Sequence, residues 1–119
     1  MSNKEIGKYG ENLAKEYLIK KGYEIIETNY RYSRYGEIDI IALYKKELCF
    51  VEVKARKNDK FGTPMEAVTK NKLSKILSCI KNYISENKNL YFEKYGIDVI
   101  SIEINDNMPK ITHFKNIGF

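Results

Sequence analysis

Histidine is almost missing from this chain: His113 is the only one, near the carboxyl terminus and far in sequence from any acidic cluster. One histidine cannot supply histidine-based metal binding or a catalytic triad, so His113 is expected to be structural. Cysteine is nearly as scarce. Cys49, in an apolar strand-like stretch, and Cys79, in an apolar helix-like one, do not make a disulfide framework or a zinc site, and read as small core residues. No stretch approaches the length of a membrane span and the opening MSNKEIGKYG carries no apolar signal segment, so no membrane and a reducing cytoplasm are expected. Repeats, linkers and low-complexity tracts are lacking too. A chain of 119 residues, 43% hydrophobic, supports one core and is too short for two, which predicts a single domain over 1–119.

Caps and periods give the organisation. Ser2-Asn3-Lys4-Glu5 reads as a capping box opening a helix that runs to Lys20 and Lys21, with Gly22 as its stop. Its buried stripe is Ile6, Gly10, Leu13, Ala14, Tyr17 and Leu18, and Glu11 falls just past the edge of that stripe. A strand is expected at about 24 to 31, a hairpin at about 37 to 44 and 47 to 55 with a tight turn between, then a polar loop KNDKFG. Thr63-Pro64-Met65-Glu66 reads as a second capping box, opening a helix with the stripe Ala67, Leu73, Ile76, Leu77, Ile80, Tyr83 and Ile84. Lys70 and Lys81 flank one side of that stripe and Lys72 the other. Strands at about 95 to 104 and 110 to 115 complete an αβββαββ order, an α/β class with a mixed sheet and helices packed on it.

Within the hairpin, GEIDIIA and FVEVKAR place charged groups in otherwise buried strand patterns. Side chains alternate along a strand, so Glu52 and Lys54 share one face, Val51 and Val53 the other, and Glu37 and Asp39 are related in the same way. Asp39 lies thirteen residues before Glu52, and the hairpin brings both to the same end of a sheet. Buried carboxylates are costly unless paired or bound to metal. Two of them on adjacent strands suit a hard cation, Mg²⁺ or Mn²⁺, which clamps phosphate oxygens and lowers the pKa of a bound water in phosphodiester hydrolysis. The blander reading is a solvated row with a cross-strand charge pair, which Glu-x-Lys on a wet sheet face usually is. For Glu11 the corresponding alternative is an exposed partner of Lys8 or Lys15.

The order Asp, then Glu-x-Lys across a hairpin resembles the PD-(D/E)XK nuclease superfamily. Four stretches resemble its small bacterial YraN-like branch, related to archaeal Holliday-junction resolvases: GKYGENLAKEYLIKKGYEII, NYRYSRYGEIDIIA, FVEVKARKNDKFGTPMEAV and YGIDVISI. The likeness covers nearly the whole chain, and GEIDIIA with FVEVKAR at this distance is specific to the branch. Ile38 stands where the superfamily's nominal Pro precedes the Asp, which is usual for the branch. The resemblance implies a restriction-endonuclease-like core, with Asp39 and Glu52 as metal ligands, Lys54 as the catalytic lysine and Glu11 as an additional acidic residue from the first helix. Asp98 in GIDVIS matches a branch motif, yet reads better as a strand-borne structural acid.

Charge agrees with a polyanionic partner. The whole chain is +5, while residues 54–88 alone carry nine Lys and Arg against three acids, a local excess of +6. Arg56 extends the Glu52–Lys54 row and is the first phosphate candidate, joined by Lys57, Lys70 and Lys72. Arg31 and Arg34 are further candidates for holding phosphates, with Tyr32 and Tyr35 placed to stack on unpaired bases; an ordinary exposed loop explains them equally. Phe61 and Gly62 either shape a loop over the cleft or close the strand-to-helix turn. The expected function is a Mg²⁺ or Mn²⁺ dependent nuclease on DNA, branched or structured DNA included. The rivals are a nucleic-acid-binding module of the same fold without useful turnover, and a scaffold that binds a partner protein. A homodimer fits resolvase-like symmetric cutting, although no stretch marks a dimer face.

Overall fold

The computed structural model describes residues 1–32, 34, 36–57 and 69–117. The first helix, α1 (Asn3–Lys20), starts as its sequence requires: Glu5 N–H donates to Ser2 Oγ at 3.2 Å and Ser2 N–H donates to Glu5 Oε1 at 3.0 Å, satisfying two otherwise orphaned donors. Ile6, Gly10, Ala14 and Leu18 form its buried stripe. Three strands follow, β1 (Glu24–Arg31), β2 (Glu37–Tyr44) and β3 (Glu47–Arg56). Lys45 and Lys46, both at positive φ (47° and 66°), make the two-residue turn between β2 and β3, the mirror-image geometry that matches strand twist even without Asn-Gly.

A second helix, α2 (Lys70–Glu86), then crosses the sheet before β4 (Lys94–Glu103) and β5 (Lys110–Ile117). Its first turn is capped by Thr69, whose Oγ1 accepts from Lys72 N–H at 3.2 Å. The expected capping box at Thr63–Glu66, Ala67 of the expected stripe, and Phe61 with Gly62 lie outside the described residues. The stripe itself turns out to include a cysteine: the buried residues of α2 are Ile76, Cys79, Ile80 and Tyr83.

The five strands form one sheet in the order β1-β2-β3-β4-β5. All neighbours are antiparallel except β3 and β4, which run parallel, as a crossover through α2 demands. The central strand β3 is covered on both faces. On one, Cys49 and Val51 pack with Ala14 and Leu18 of α1; on the other, Leu48 and Phe50 pack with Ile76, Ile80 and Tyr83 of α2. Each Val, Leu, Ile or Phe among them contributes roughly 1.5–3 kcal/mol on burial, which makes the two helix–sheet seams the main source of stability.

Gly10 fixes how close α1 sits. A Cβ there would collide with the Ala55 Cβ, and would come 3.9 Å from Ile102 Cδ1. Since the Ala55 Cβ is fixed to its backbone and cannot swing aside, Gly10→Val should force α1 off β3 and lower stability by about 2–3 kcal/mol, the upper range for overpacking. A thermal melt that leaves the midpoint unchanged would show that the helix is not seated by this contact.

Candidate metal centre

Backbone pairing between β2 and β3 ends at Ile40↔Val51, whereas β3 stays paired with β4 as far as Arg56↔Glu103. One step past the last β2–β3 pair stand Asp39 and Glu52. The Val53 N–H, left without a strand partner on that side, donates instead to Asp39 Oδ2 at 2.8 Å. This fork in the sheet is what turns Asp39 from a ladder residue into a site residue.

Glu52 is 5% exposed. Its Oε1 is buried without a hydrogen-bond partner among the described residues, and its Oε2 lies 3.9 Å from Lys72 Nζ of α2. Burial and then the charge of Asp39 push the Glu52 carboxyl up to about 7, against the pull of Lys72 and Lys54. Burial also raises Asp39, to about 6; the Val53 N–H opposes this, while the charges of Glu11 and Glu37 add to it. Lys54 is lowered, first by burial and then by the adjacent Lys72. Two acids and two lysines thus share one poorly solvated corner between β2, β3 and α2.

The other expected site residues are spread around this corner. Glu11 reaches toward it from α1, close enough for its charge to act on Asp39, and is held by Asn29, whose Nδ2 donates to Glu11 Oε1 at 3.0 Å. The described residues contain no group of three or more His, Cys, Asp or Glu side chains arranged to hold an ion, so Glu11 does not complete a three-carboxylate cluster as it stands. Arg31 is ion-paired with Glu37 at 3.2 Å, an exposed pair of small energetic weight. Arg34, Lys57 and Lys70 are exposed; Lys57 lines a hollow of about 400 Å³ with Ile104, Asn105 and Asp106, past the end of β3. Arg56 follows Lys54 on the same strand face and is half-buried, its carbonyl accepting from Ile104 N–H at 2.8 Å. Tyr35 lies outside the described residues.

Asp98 and His113 belong to a separate structural network. His113 Nε2 meets Asp98 Oδ2 at 2.7 Å, Tyr17 Oη meets His113 Nδ1 at 3.1 Å, and Asn116 N–H donates to Asp98 Oδ1 at 3.0 Å, pinning β5 and α1 to β4. The two cysteines are free and buried, as the composition suggests.

A family model described as "Uncharacterised protein family UPF0102" matches residues 10–102. The chain belongs to UPF0102. Similar relatives with the same designation include one from Syntrophomonas wolfei, 40% identical over 114 residues that cover 96% of this chain and 97% of the relative. Others are from Carboxydothermus hydrogenoformans, 43% identical over 117 residues covering 98% of each chain, and Clostridioides difficile, 45% identical over 116 residues with the same coverage. The family span takes in Glu11, Asp39, Glu52, Lys54 and Lys72, and leaves His113 outside.

Two features of this UPF0102 site escaped the sequence reading. Lys72, expected beside the stripe as a phosphate contact, also lies 3.9 Å from Glu52 Oε2, a contact the sequence pattern did not predict. Its spacing held the signal, because Lys72, Ile76, Cys79 and Tyr83 follow at i, i+4, i+7 and i+11, on the sheet-facing side of α2. Asn29, between the pairs Thr28↔Ile40 and Tyr30↔Ile38, tethers Glu11 from a left-handed backbone (φ 53°) that Asn tolerates better than most residues. An Asn inside a strand pattern was the available clue.

Proposed function

We propose that this protein is a divalent-metal-dependent phosphodiesterase acting on nucleic acid, DNA above all, with the PD-(D/E)XK arrangement that its motifs resemble. The observation that carries the reading is Glu52 Oε1, a buried carboxylate oxygen with no hydrogen-bond partner among the described residues, on a side chain that feels the charge of Asp39. An unsatisfied buried acceptor costs on the order of 1–3 kcal/mol, more when charged, and a hard cation is the ligand that two adjacent carboxylates suit. Asp39 and Glu52 would hold Mg²⁺ or Mn²⁺, with Glu11 assisting from α1. When bound, the ion would polarise the phosphate and lower the pKa of a water.

The chain's own groups then divide the remaining work. Lys54, on the same strand face as Glu52, is placed to meet charge building on the attacked phosphate, and burial leaves that charge poorly screened. Lys72 balances Glu52 from the helix side. Arg56, Lys57 and Lys70 contribute cationic surface for the backbone on either side. Symmetric cutting of a four-way junction would need two copies of this site about a two-fold axis, so that activity would bring a homodimer with it. No helix among the described residues is long and apolar enough to cross a membrane; we assign the protein to the cytoplasm, in reach of DNA.

One observation favours a second reading. Lys72 already gives Glu52 a cationic partner at 3.9 Å, which is what a nucleic-acid-binding module without metal or turnover would need. Incubation of purified protein with Mn²⁺ and a panel of linear, flapped and four-way-junction DNAs, with RNA of the same sequence alongside, separates the two. Metal-dependent cleavage of any member supports the phosphodiesterase; binding without cleavage transfers the assignment to the module.

A further inference from the structure

Two cavities lie in line along α2, on the side that faces the β1–β2 connection. The first, about 320 Å³, has Ile76 and Cys79 among its lining, Lys72 and Lys75 at its margin, and Gly36 and Glu37 on the sheet side. The second, about 430 Å³, is lined by Tyr32, Ser78, Lys81, Asn82 and Ser85. Asn71, Lys75, Ser78, Asn82 and Ser85 recur at i, i+4, i+7, i+11 and i+14, so they form one continuous polar row along the helix. The row leads from the first space to the second, since Asn71 and Lys75 line one and Ser78, Asn82 and Ser85 the other, and the two together are treated as one groove.

The groove's chemistry is specific. Among the described residues three lysines line it against one acid, Glu37, and that acid is already paired with Arg31 at 3.2 Å. Lys75 and Lys81 stand six residues apart, roughly 9 Å along the helix axis at 1.5 Å per residue. Ile76 and Cys79, 3% and 1% exposed, floor the first space as part of the core, and the half-buried ring of Tyr32 at the second offers a face on which a flat base can lie. Cations that track a backbone, interleaved with aromatic or apolar platforms, are how unpaired nucleic acid is bound without sequence readout. Each space is at the small end of ligand pockets, a size that suits single nucleotides of an unpaired strand. Lys72 closes the inner end, and 3.9 Å from it is Glu52.

We propose that this groove is a channel for an unpaired nucleic-acid strand, leading past Lys81 and Lys75 to the Asp39–Glu52 corner. The strand is bound by its phosphates and by base stacking, and the substrate is therefore unpaired beside the phosphate presented to the carboxylates. Only that last step rests on the phosphodiesterase reading. Strand binding itself needs no metal, so the two are measured apart.

Fluorescence anisotropy in EDTA at low salt, with a labelled oligothymidylate of about ten nucleotides and a blunt hairpin duplex as probes, tests the channel. The single strand should bind about tenfold or more tighter than the duplex. Lys75→Glu/Lys81→Glu should weaken single-strand binding by roughly tenfold and shallow its salt dependence by about one to two phosphate contacts. Lys20→Glu/Lys110→Glu, equal in charge change and remote from the groove, controls for net charge. Ser78→Trp, filling the second cavity without touching charge, should weaken single-strand binding too. Equal affinity for the two probes, or a groove variant no weaker than the control, overturns the channel. Loss of groove dependence with Mn²⁺ cleavage intact overturns the channel and keeps the phosphodiesterase. Groove-dependent strand binding without cleavage does the reverse.

Discussion

Lys54→Ala should slow metal-dependent cleavage by about two to three orders of magnitude, the usual scale for removing one preorganised charge-stabilising group, while affinity for nucleic acid stays near wild type. The asymmetry follows from where the lysine sits. Ground-state affinity is shared among many exposed cations, of which Lys57, Lys70, Lys75 and Lys81 are four. Lys54 is half-buried on the Glu52 face, where burial and the neighbouring Lys72 ammonium destabilise its charge and Glu52 and Asp39 restore part of it. A cation held at such cost gains most when negative charge grows beside it, which happens in the transition state and not in the bound substrate. Single-turnover rates with Mn²⁺, paired with affinities measured in Ca²⁺, give the two numbers. A wild-type rate in Lys54→Ala would refute the role, and a parallel loss of rate and affinity would make the lysine a binding residue.

Much of this architecture was legible because local signals agreed with one another. Ser2 and Glu5 announced the start of α1, the alternation in FVEVKAR placed Glu52 and Lys54 on one strand face, and a spacing of thirteen residues across a tight turn put Asp39 next to Glu52. These features depend on periods and caps, which sequence carries directly. The strand fork did not come through, because the end of β2–β3 pairing depends on β2 leaving β3 while β4 stays, a tertiary choice. Hence the bond from Val53 N–H to Asp39 was invisible. The Lys72–Glu52 contact was hidden for a related reason. A lysine in a basic helix looks like a surface cation, and only the buried Glu52 across the seam gives it a partner inside. Thr69, which caps α2, has Lys72 and not Glu or Gln three residues on, so it completes no capping box and gives a weaker signal than Thr63-Pro64-Met65-Glu66, which lies outside the described residues.

Glu52→Gln should have two effects of opposite sign: it should remove Mn²⁺ binding, and it should stabilise the metal-free protein at pH 8. In the folded chain the Glu52 carboxyl is raised to about 7 from an ordinary 4.5, and Asp39 to about 6 from 3.8, burial being the first cause in each. Between the unfolded and folded values the native state holds more protons than the unfolded one. Stability therefore falls as pH rises through that window, from about 4 to 7, and the penalty is complete by pH 8. For Glu52 it is on the order of 3 kcal/mol, at about 1.4 kcal/mol per pKa unit. A glutamine cannot ionise, so its variant should lose much less stability between pH 5 and pH 8 in EDTA. Mn²⁺ reverses the ranking at pH 8: a ligand that binds the folded state raises wild-type stability in proportion to the logarithm of its concentration over Kd, and has little to bind in the variant. Urea denaturation at both pH values, with and without millimolar Mn²⁺, reads all four quantities. Wild-type protein as stable at pH 8 as at pH 5 would show that these carboxylates are not strained by burial. Equal stabilisation of both proteins by Mn²⁺ would move the ion away from Glu52 altogether.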